Sequence, residues 1–393
     1  MRALKENIFA VGAIDFGARL FDRLIPLPDG TSYNSYLIKG SEKTALLDAV
    51  DPSKTDILLD NLAELKIEKI DYLISHHAEQ DHSGSIPAVL EKYPDAKVVT
   101  NAKCKKMLMD MFEVCDEQFV TVDDLETISL GDKTLQFIFL PWVHWPETMA
   151  SYLKEDKILF SCDFFGSHLA TSDLFVKNER DVYEPAKRYY AEIMMPFRNI
   201  IKKNIEKLSD FEIAMIAPSH GLVYKSPDFI IEAYKDWIDD GVKNEVIIPY
   251  VSMHGSTAKM VEYFTQALIK RGIAVKQFEL STVDIGKLAM ALVDAATIVI
   301  GTPTVLTGPH PCAAYAAFLA NALRPKTKFA SIIGSFGWGG KAVENLVSMI
   351  PNLKVELLDP VIVKGNPKEN DFLELDKLAE KILCKHKDLK IVQ

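Results

Sequence analysis

The chain lacks the features that mark several classes of protein. Its 393 residues include only five cysteines, an odd number with no closely spaced pair, which excludes a disulfide framework, a cysteine-bound structural metal and a redox dithiol. No apolar run approaches the roughly 18 residues that a membrane span needs. The net charge of −10 disfavours nucleic acid as the main partner, because phosphate contacts require a basic surface. These absences predict a reduced, cytoplasmic protein that binds neither membranes nor nucleic acids.

Length and patterning together predict an α/β protein of two domains. At roughly 150 residues per domain, a chain of 393 residues exceeds a single module. The first part reads as short strands with intervening helices, beginning with a strand pair over Thr31–Lys39 and Thr44–Val50 and ending in a helix over Asp228–Asp239. From residue 244 onward, five strand–helix units alternate regularly, the last strand spanning Val355–Val363. We therefore predict domains at 1–243 and 244–393, the second a doubly wound parallel five-stranded sheet.

The segment after the predicted strand Asp71–Ser75 concentrates potential metal ligands. Three histidines and two carboxylates fall within residues 76–82, and other candidates follow later strands. Strand ends on one edge of a sheet converge, so these side chains can meet in space. The predicted ligands, enough for two metal ions, are His77, Glu79, Asp81, His82, His144, Asp163 and His220. A lone histidine after a strand is more often a hydrogen-bonding residue than a ligand, and His76 is interpreted as a bystander.

Three loops of the second half combine hydroxyl groups and glycines at the ends of predicted strands. The first follows Val246–Val251 and runs straight into a helix, so its N–H groups and hydroxyls suit a phosphate, without the lysine of a P-loop. The other two follow the third and fourth strands, where the ligand crevice of such a sheet lies. Together the three loops resemble the FMN-binding loops of flavodoxins, and the flavin contacts that this resemblance implies are Ser252, His254, Gly255, Ser256, Thr257, Pro303, Thr304, Val305, Gly308, Ser335, Phe336, Gly337, Trp338, Gly339 and Gly340. Trp338 is the candidate for stacking on a flavin ring, with core packing as the alternative.

The HxExDH cluster and the three later ligands resemble the metallo-β-lactamase superfamily, in which a second histidine stands at the position of Glu79. A carboxylate there makes the site harder and more anionic, which favours iron or manganese over zinc. The three loops resemble the FMN-binding pattern of flavodoxins. A metallo-β-lactamase-like αββα sandwich followed by a flavodoxin-like domain resembles the flavodiiron proteins, also called A-type flavoproteins, over nearly the whole chain. The runs His144-Trp145-Pro146 and Ala217-Pro218-Ser219-His220-Gly221 add to this resemblance.

The resemblance implies a role for each metal-site residue. One iron is expected on His77, Glu79 and His144, and a second on Asp81, His82 and His220. Asp163 is expected to bridge the two irons. Trp145, His168 and Tyr189 are candidates for lining the pocket on the basis of their own sequence positions. The alternative is simple packing for Trp145 and Tyr189 and a solvated surface position for His168.

The resemblance also implies an activity and its partners. Electrons are expected to pass from an external donor through FMN to the diiron centre, where O2 is reduced to water or NO to N2O. The donor is expected to be a separate molecule such as rubredoxin or a reduced deazaflavin, because no CxxC pairs of a fused rubredoxin follow the second domain. A head-to-tail homodimer is implied, with further pairing into a tetramer left open.

The chain departs from the family pattern at a few positions. His254 stands where many relatives carry an aromatic residue, and Leu306 where an asparagine is common, which leaves the flavin potential open. Some relatives place a histidine near the diiron pocket before the Gly30-Thr31 segment, but no histidine precedes His76. The preference for O2 or NO therefore stays open.

Two other functions compete with the reductase. One is a dizinc hydrolase of the lactamase type with a fused flavodoxin-like module, which Glu79 disfavours. The other is a non-catalytic electron carrier whose first domain only mediates dimerisation, which the full set of seven ligands disfavours.

Overall fold

The computed structural model describes residues 1–392 and divides them into two compact units. One unit comprises residues 1–190 and 197–238, and the other comprises residues 191–196 and those from 239 onward. No helix within the described chain combines the length and the apolar composition that crossing a membrane requires.

The first unit is built on two β-sheets. The strands of the first sheet are, in spatial order, Arg2–Lys5, Ile8–Ala10, Tyr36–Lys39, Thr44–Leu47, Tyr72–Ile74, Lys97–Thr100 and Phe119–Thr121. Those of the second are Thr127–Ser129, Thr134–Phe139, Met149–Leu153, Ile158–Cys162 and Met215–Pro218. Leu47 of the first sheet and Phe137 and Phe160 of the second belong to one buried cluster, so the two sheets pack face to face.

Helices cover the outer face of the first sheet. Successive strand residues point to opposite faces, so Leu46 points away from the sheet interface that holds Leu47. Leu46 packs instead against Leu58 and Leu108, which lie on two of the helices. The helices of this unit are Thr55–Glu64, Gln80–Ser83, Ile86–Lys92, Ala102–Met111, Glu179–Tyr189, Arg198–Leu208 and Asp228–Ile238. This arrangement confirms the sandwich predicted for the first part of the chain.

The predicted strand Thr31–Lys39 is wrong as a single element. The structure divides it into Thr31–Tyr33 and Tyr36–Lys39, which pair in different sheets. Asn34 breaks the strand because its backbone N–H donates to Ser219 O at 2.8 Å and its side-chain amide donates to Pro218 O, also at 2.8 Å. The break therefore fixes the loop that carries His220.

Several short strands carry too little periodicity to be recognised in the sequence. They include Ala13–Asp15, Leu20–Phe21 and Ile25–Pro26, each of two or three residues. Met149–Leu153 is longer, but it is buried on both faces, so the alternation that marks a half-exposed strand is missing.

The second unit is a doubly wound sheet, as predicted. Its parallel strands are, in spatial order, Ala274–Glu279, Lys243–Tyr250, Ala295–Val305 and Phe329–Phe336, followed by Glu356–Leu357 and Val361–Lys364. Its helices are Ser256–Ile269, Ile285–Leu292, Pro311–Leu323, Ala342–Ser348 and Glu369–Asp388. The predicted last strand Val355–Val363 is wrong as one piece, because Pro360 has no N–H to donate at the point where the strand is interrupted.

A second correction concerns the loop predicted after the third strand of this sheet. Pro303, Thr304 and Val305 continue the strand, and Gly308–Pro309 folds back on it as an antiparallel pair. Thr304 pairs with Pro309 and Val305 with Gly308, so this segment has a fixed hairpin geometry.

Candidate metal centre

The predicted metal ligands lie at one edge of the two sheets of the first unit. His77 and Glu79 follow the strand Tyr72–Ile74, and the short helix Gln80–Ser83 carries the next two ligands. Asp163 comes directly after Ile158–Cys162. The remaining two, His144 and His220, follow other strands of the second sheet.

The structure brings all seven predicted ligands together in two groups. In the first, His77 Nε2 lies 3.1 Å from Glu79 Oε2 and 3.6 Å from Asp163 Oδ2. His144 Nε2 lies 3.0 Å from the same Glu79 oxygen and 3.6 Å from the same Asp163 oxygen. Two imidazoles and two carboxylates thus point at one small volume.

The second group faces the other oxygen of Asp163. His82 Nε2 lies 3.1 Å from Asp163 Oδ1 and 3.4 Å from Asp81 Oδ1. His220 Nε2 lies 3.3 Å from Asp163 Oδ1 and 3.1 Å from Asp81 Oδ2. Asp163 therefore stands between two groups, each with two histidines and one further carboxylate.

The unpaired atoms of this cluster fit a cation. Among residues 1–392, no group forms a hydrogen bond with either side-chain oxygen of Asp81, with Nε2 of His82 or with Oδ2 of Asp163, although all four atoms are buried. Buried polar atoms are normally paired. Metal ions bound between the histidines and carboxylates would satisfy all of them, and mixed nitrogen and oxygen donors suit iron.

Carboxylates dominate the electrostatics of the cluster. Burial alone would lower the pKa of His77, but its hydrogen bonds to Glu147 and Glu79 outweigh burial and raise this pKa to about 10. Burial also lowers the pKa values of His82 and His220, but the nearby carboxylates of Asp163 and Asp81 outweigh it and raise both values to about 10. Metal ions bind the neutral imidazole, so the negative field that favours a proton on these nitrogens also favours a metal ion in its place.

A carboxylate missed in the sequence holds the outer nitrogen of His77. Oε1 of Glu147 lies 2.7 Å from His77 Nδ1 and accepts a hydrogen bond from the backbone N–H of Ala78 at 3.1 Å. Burial tends to raise the pKa of Glu147, but its contacts with His77 lower it below the usual range. Its position directly after His144-Trp145-Pro146 was the only sequence signal available.

Asp22 is a second residue that the sequence did not single out. It lies at the turn between the strands Leu20–Phe21 and Ile25–Pro26, with a positive φ of 50°. Burial raises its pKa to about 6, with the charges of Glu79 and Asp81 adding to the effect. An aspartate in a turn is common, so nothing in its residue type marked it.

The three pocket candidates all lie against the ligands. The hydroxyl of Tyr189 donates to Asp163 Oδ1 at 2.8 Å. His168 is buried, with its Nδ1 2.9 Å from Thr31 Oγ1 and its ring centroid 4.8 Å from that of Tyr189. The ring of Trp145 meets His77 edge to face at 4.9 Å.

His76 points away from the metal cluster. Its Nδ1 lies 2.8 Å from Asp48 Oδ2, and its Nε2 lies 2.7 Å from Ser151 Oγ. Both ring nitrogens are therefore engaged by side chains outside the ligand groups.

A separate pocket of about 280 Å³ lies in the second unit at the carboxyl ends of its strands. The predicted flavin contacts that line it are Ser252, His254, Ser256, Thr257, Pro303, Thr304, Ser335, Phe336 and Gly337. Met253 and Gly365 also line it and were missed, although Gly365 follows the last predicted strand as the other loops follow theirs. Its position at the switch of strand order is the usual ligand site of this fold.

The other predicted flavin contacts lie outside this lining. They are Gly255, Val305, Gly308, Trp338, Gly339 and Gly340. Trp338 is 80% exposed, so the alternative of core packing is wrong. Gly255 has a positive φ of 87° directly before the helix Ser256–Ile269, a conformation that favours glycine.

Comparison with known proteins identifies the family. The model of the ODP family beta lactamase matches residues 31–221. A nitric oxide reductase of Moorella thermoacetica is 35% identical, with 98% of this chain and 99% of that protein covered. The chain belongs to the flavodiiron proteins.

Solved structures agree over the whole length. The rubredoxin oxygen:oxidoreductase of Desulfovibrio gigas superposes with a TM-score of 0.94 at 30% identity, covering 98% of each chain. The flavodiiron protein of Giardia intestinalis superposes with a TM-score of 0.91 at 28% identity, covering 99% of this chain and 97% of that one.

Family membership confirms several predictions made from the sequence. The protein is an oxidoreductase, and its cofactors, FMN and a diiron centre, are those of the flavodiiron proteins. The hydrolase and the non-catalytic carrier are therefore set aside.

Proposed function

We propose that this flavodiiron protein reduces O2 to water or NO to N2O. The observation that carries the proposal is the position of Asp163, whose two oxygens face two matched groups of side chains. A carboxylate with this placement suits a bridge between two metal ions. A site for one metal ion would not need the second group.

In this proposal, His77, Glu79 and His144 would hold one iron, Asp81, His82 and His220 would hold the other, and Asp163 would be shared by both. When bound, FMN and the two irons supply electrons and Lewis acidity. The protein supplies a dry, rigid setting, because His77, His220 and Asp163 are each at most 1% exposed. Tyr189 holds its phenolic proton on Asp163 Oδ1 and so fixes the orientation of that carboxylate.

The pocket of the second unit is proposed as the FMN site. The hydroxyls of Ser252, Ser256 and Thr257 lie at the start of the helix Ser256–Ile269, where the N–H groups and the helix dipole favour a phosphate. The exposed ring of Trp338 is available to stack on the flavin. We thereby assign the diiron centre to a domain at 1–243 and FMN binding to a domain at 244–393.

Electron supply and assembly complete the proposal. The donor is a separate molecule, such as rubredoxin or a reduced deazaflavin. The active form is a head-to-tail homodimer in which the FMN of one chain serves the irons of the other. The similarity to a rubredoxin oxygen:oxidoreductase supports the choice of rubredoxin as the first donor to assay.

An anaerobic assay tests the activity. Protein reduced through its flavin is mixed with a known amount of O2 or NO, and consumption of each gas is followed with an electrode. The proposal predicts turnover of at least one gas and its loss in Asp163→Ala with FMN retained. Turnover at the wild-type rate by an Asp163→Ala protein that still binds two irons would overturn the ligand assignment.

A further inference from the structure

Three histidines of the metal cluster differ in what holds their outer ring nitrogen. Nδ1 of His77 meets the carboxylate of Glu147 at 2.7 Å. Nδ1 of His220 meets the backbone carbonyl of Ser32, also at 2.7 Å. Nδ1 of His82 lies 3.9 Å from the thiol of Cys162, a much weaker partner. Only the first of these three partners is a carboxylate.

The side chains that face the metals are balanced between the two groups. Each group has two histidines and one carboxylate of its own, and Asp163 is common to both. The ligand types therefore give no reason for the two positions to differ. A carboxylate behind a ligating imidazole draws on its Nδ1 proton and makes Nε2 a stronger donor. Glu147 adds this effect to the group of His77 through a direct hydrogen bond. A carboxylate oxygen of Asp48 lies within 4.8 Å of a ring nitrogen of His82, but the Asp48 carboxylate is hydrogen-bonded to His76 instead.

The surroundings hold one carboxylate oxygen of Glu147, Oε1, whereas the buried Oε2 has no hydrogen-bond partner among residues 1–392. Its Oε1 accepts from both His77 Nδ1 and Ala78 N, and its backbone carbonyl accepts from the side-chain amide of Asn101 at 2.6 Å. Asn101 in turn caps the helix Ala102–Met111. Trp145 packs edge to face on the His77 ring, so the imidazole is fixed from a second direction.

We propose that Glu147 is a positioning residue that makes the metal position of His77, Glu79 and His144 the tighter of the two. The inference rests on the proposed diiron function. It predicts that the two metal ions leave the protein at different rates, the one bound to His77 last. Removing the charge of Glu147 should act on that metal ion alone.

Metal release tests this inference directly. The full-length protein with two irons per chain is mixed anaerobically with an excess of a ferrous chelator, and the coloured complex is followed in time. We expect two phases of one iron each. In Glu147→Gln, which keeps the shape of the side chain, the slow phase should accelerate by about tenfold to a hundredfold, and the fast phase should not change. Glu147→Asp should restore part of the slow release.

Cys162→Ser is the matched control, because it exchanges one neutral partner for another behind His82. Its effect should stay below roughly threefold and fall on the fast phase, since neither partner carries a charge. Mössbauer spectra of ⁵⁷Fe protein give a second readout, in which Glu147→Gln should shift one of two iron signals. FMN content and unfolding curves show whether each variant is folded.

The outcomes separate this inference from the function on which it rests. Protein that binds fewer than two metal ions would refute the diiron proposal itself. Two irons that leave wild-type protein in a single phase would overturn the inference alone. So would a Glu147→Gln variant that accelerates both phases equally, accelerates only the fast phase or changes neither.

Discussion

The phenolic oxygen of Tyr189 lies 2.8 Å from Oδ1 of Asp163 and donates a hydrogen bond to it in the core of the first unit. The same oxygen faces His82 and His220, whereas Oδ2 faces His77 and His144. Tyr189 therefore acts on one side of the cluster and helps to fix the orientation of the Asp163 carboxylate, the proposed bridge.

Replacing Tyr189 by phenylalanine removes this bond and leaves the ring in place. A hydrogen bond to a charged group contributes about 1.5–3 kcal/mol, so the free energy of unfolding should fall by about that amount. Tyr224→Phe is the control, because the buried Tyr224 donates to the neutral carbonyl of Phe165 at 3.1 Å and should lose only about 0.5–1.5 kcal/mol. Urea unfolding followed by tryptophan fluorescence measures both, and equal losses would argue against a special role for the Asp163 contact.

A negative charge at the start of the helix Ser256–Ile269 should have opposite effects on FMN binding and on stability. Ser256→Asp places the charge beside the proposed phosphate site, so FMN affinity should fall by roughly tenfold to a hundredfold. The same charge favours the helix dipole, so the flavin-free protein should gain about 0.3–1 kcal/mol. Flavin fluorescence titration and urea unfolding provide the two measurements.

The neutral variant Ser256→Asn is the control for this experiment. It should change FMN affinity far less than Ser256→Asp, because it adds no charge. If the aspartate variant bound FMN as tightly as wild type, the phosphate would have to lie elsewhere.

Acid should destabilise the second unit through His386. This buried ring has Nδ1 2.8 Å from Asn244 Oδ1 and Nε2 2.8 Å from Thr297 Oγ1, and burial lowers its pKa from 6.5 to about 4. Between these two pH values, His386 is protonated in the unfolded chain but stays neutral in the folded chain. The free energy of unfolding therefore falls as the pH is lowered from about 6.5 to about 4. Above this range, the stabilising contribution of the neutral His386 is fully present.

Urea unfolding monitored by flavin fluorescence at a series of pH values checks this prediction. His386→Gln should be less stable at neutral pH but should lose less stability on acidification, so the two curves should converge. Curves that stay parallel from pH 7 to pH 4 would show that His386 does not carry the effect.

Mixed dimers test the proposed assembly. Asp163→Ala chains lack the bridge, and Ser256→Asp chains bind FMN weakly, so dimers of either variant alone should turn over slowly or not at all. The two variants are co-expressed with different tags, and the dimer that contains one chain of each is purified. In a head-to-tail arrangement, this hybrid places the FMN of the Asp163→Ala chain beside the diiron centre of the Ser256→Asp chain. The hybrid should recover up to about half of the wild-type rate per dimer at limiting FMN. Hybrids as inactive as their parents would contradict a head-to-tail arrangement.

The sequence was sufficient to predict the elements of strong periodicity and the seven candidate ligands that the structure brings together. The regular alternation after residue 244 specified the doubly wound sheet, and the density of imidazoles and carboxylates in residues 76–82 marked the metal cluster. Both signals are local, so a single sequence displays them.

The missed features depend on contacts between distant positions. Asn34 interrupts a strand because it bonds to Pro218, which lies 184 residues away. Glu147 reaches His77 across 70 residues, and Asp22 reaches the cluster from a hairpin with two-residue strands. The residue type and the local sequence of a glutamate or aspartate in a loop do not indicate that it contacts a distant histidine or carboxylate.

Counting the metals and measuring their coupling tests the central claim most directly. Protein purified from cells supplied with both iron and zinc is analysed for metal content, and its ⁵⁷Fe form is examined by Mössbauer spectroscopy in an applied field. We predict two irons per chain that are magnetically coupled through Asp163, with the coupling lost in Asp163→Ala. Two zinc ions per chain, or two irons that show no coupling in the wild-type protein, would contradict the account.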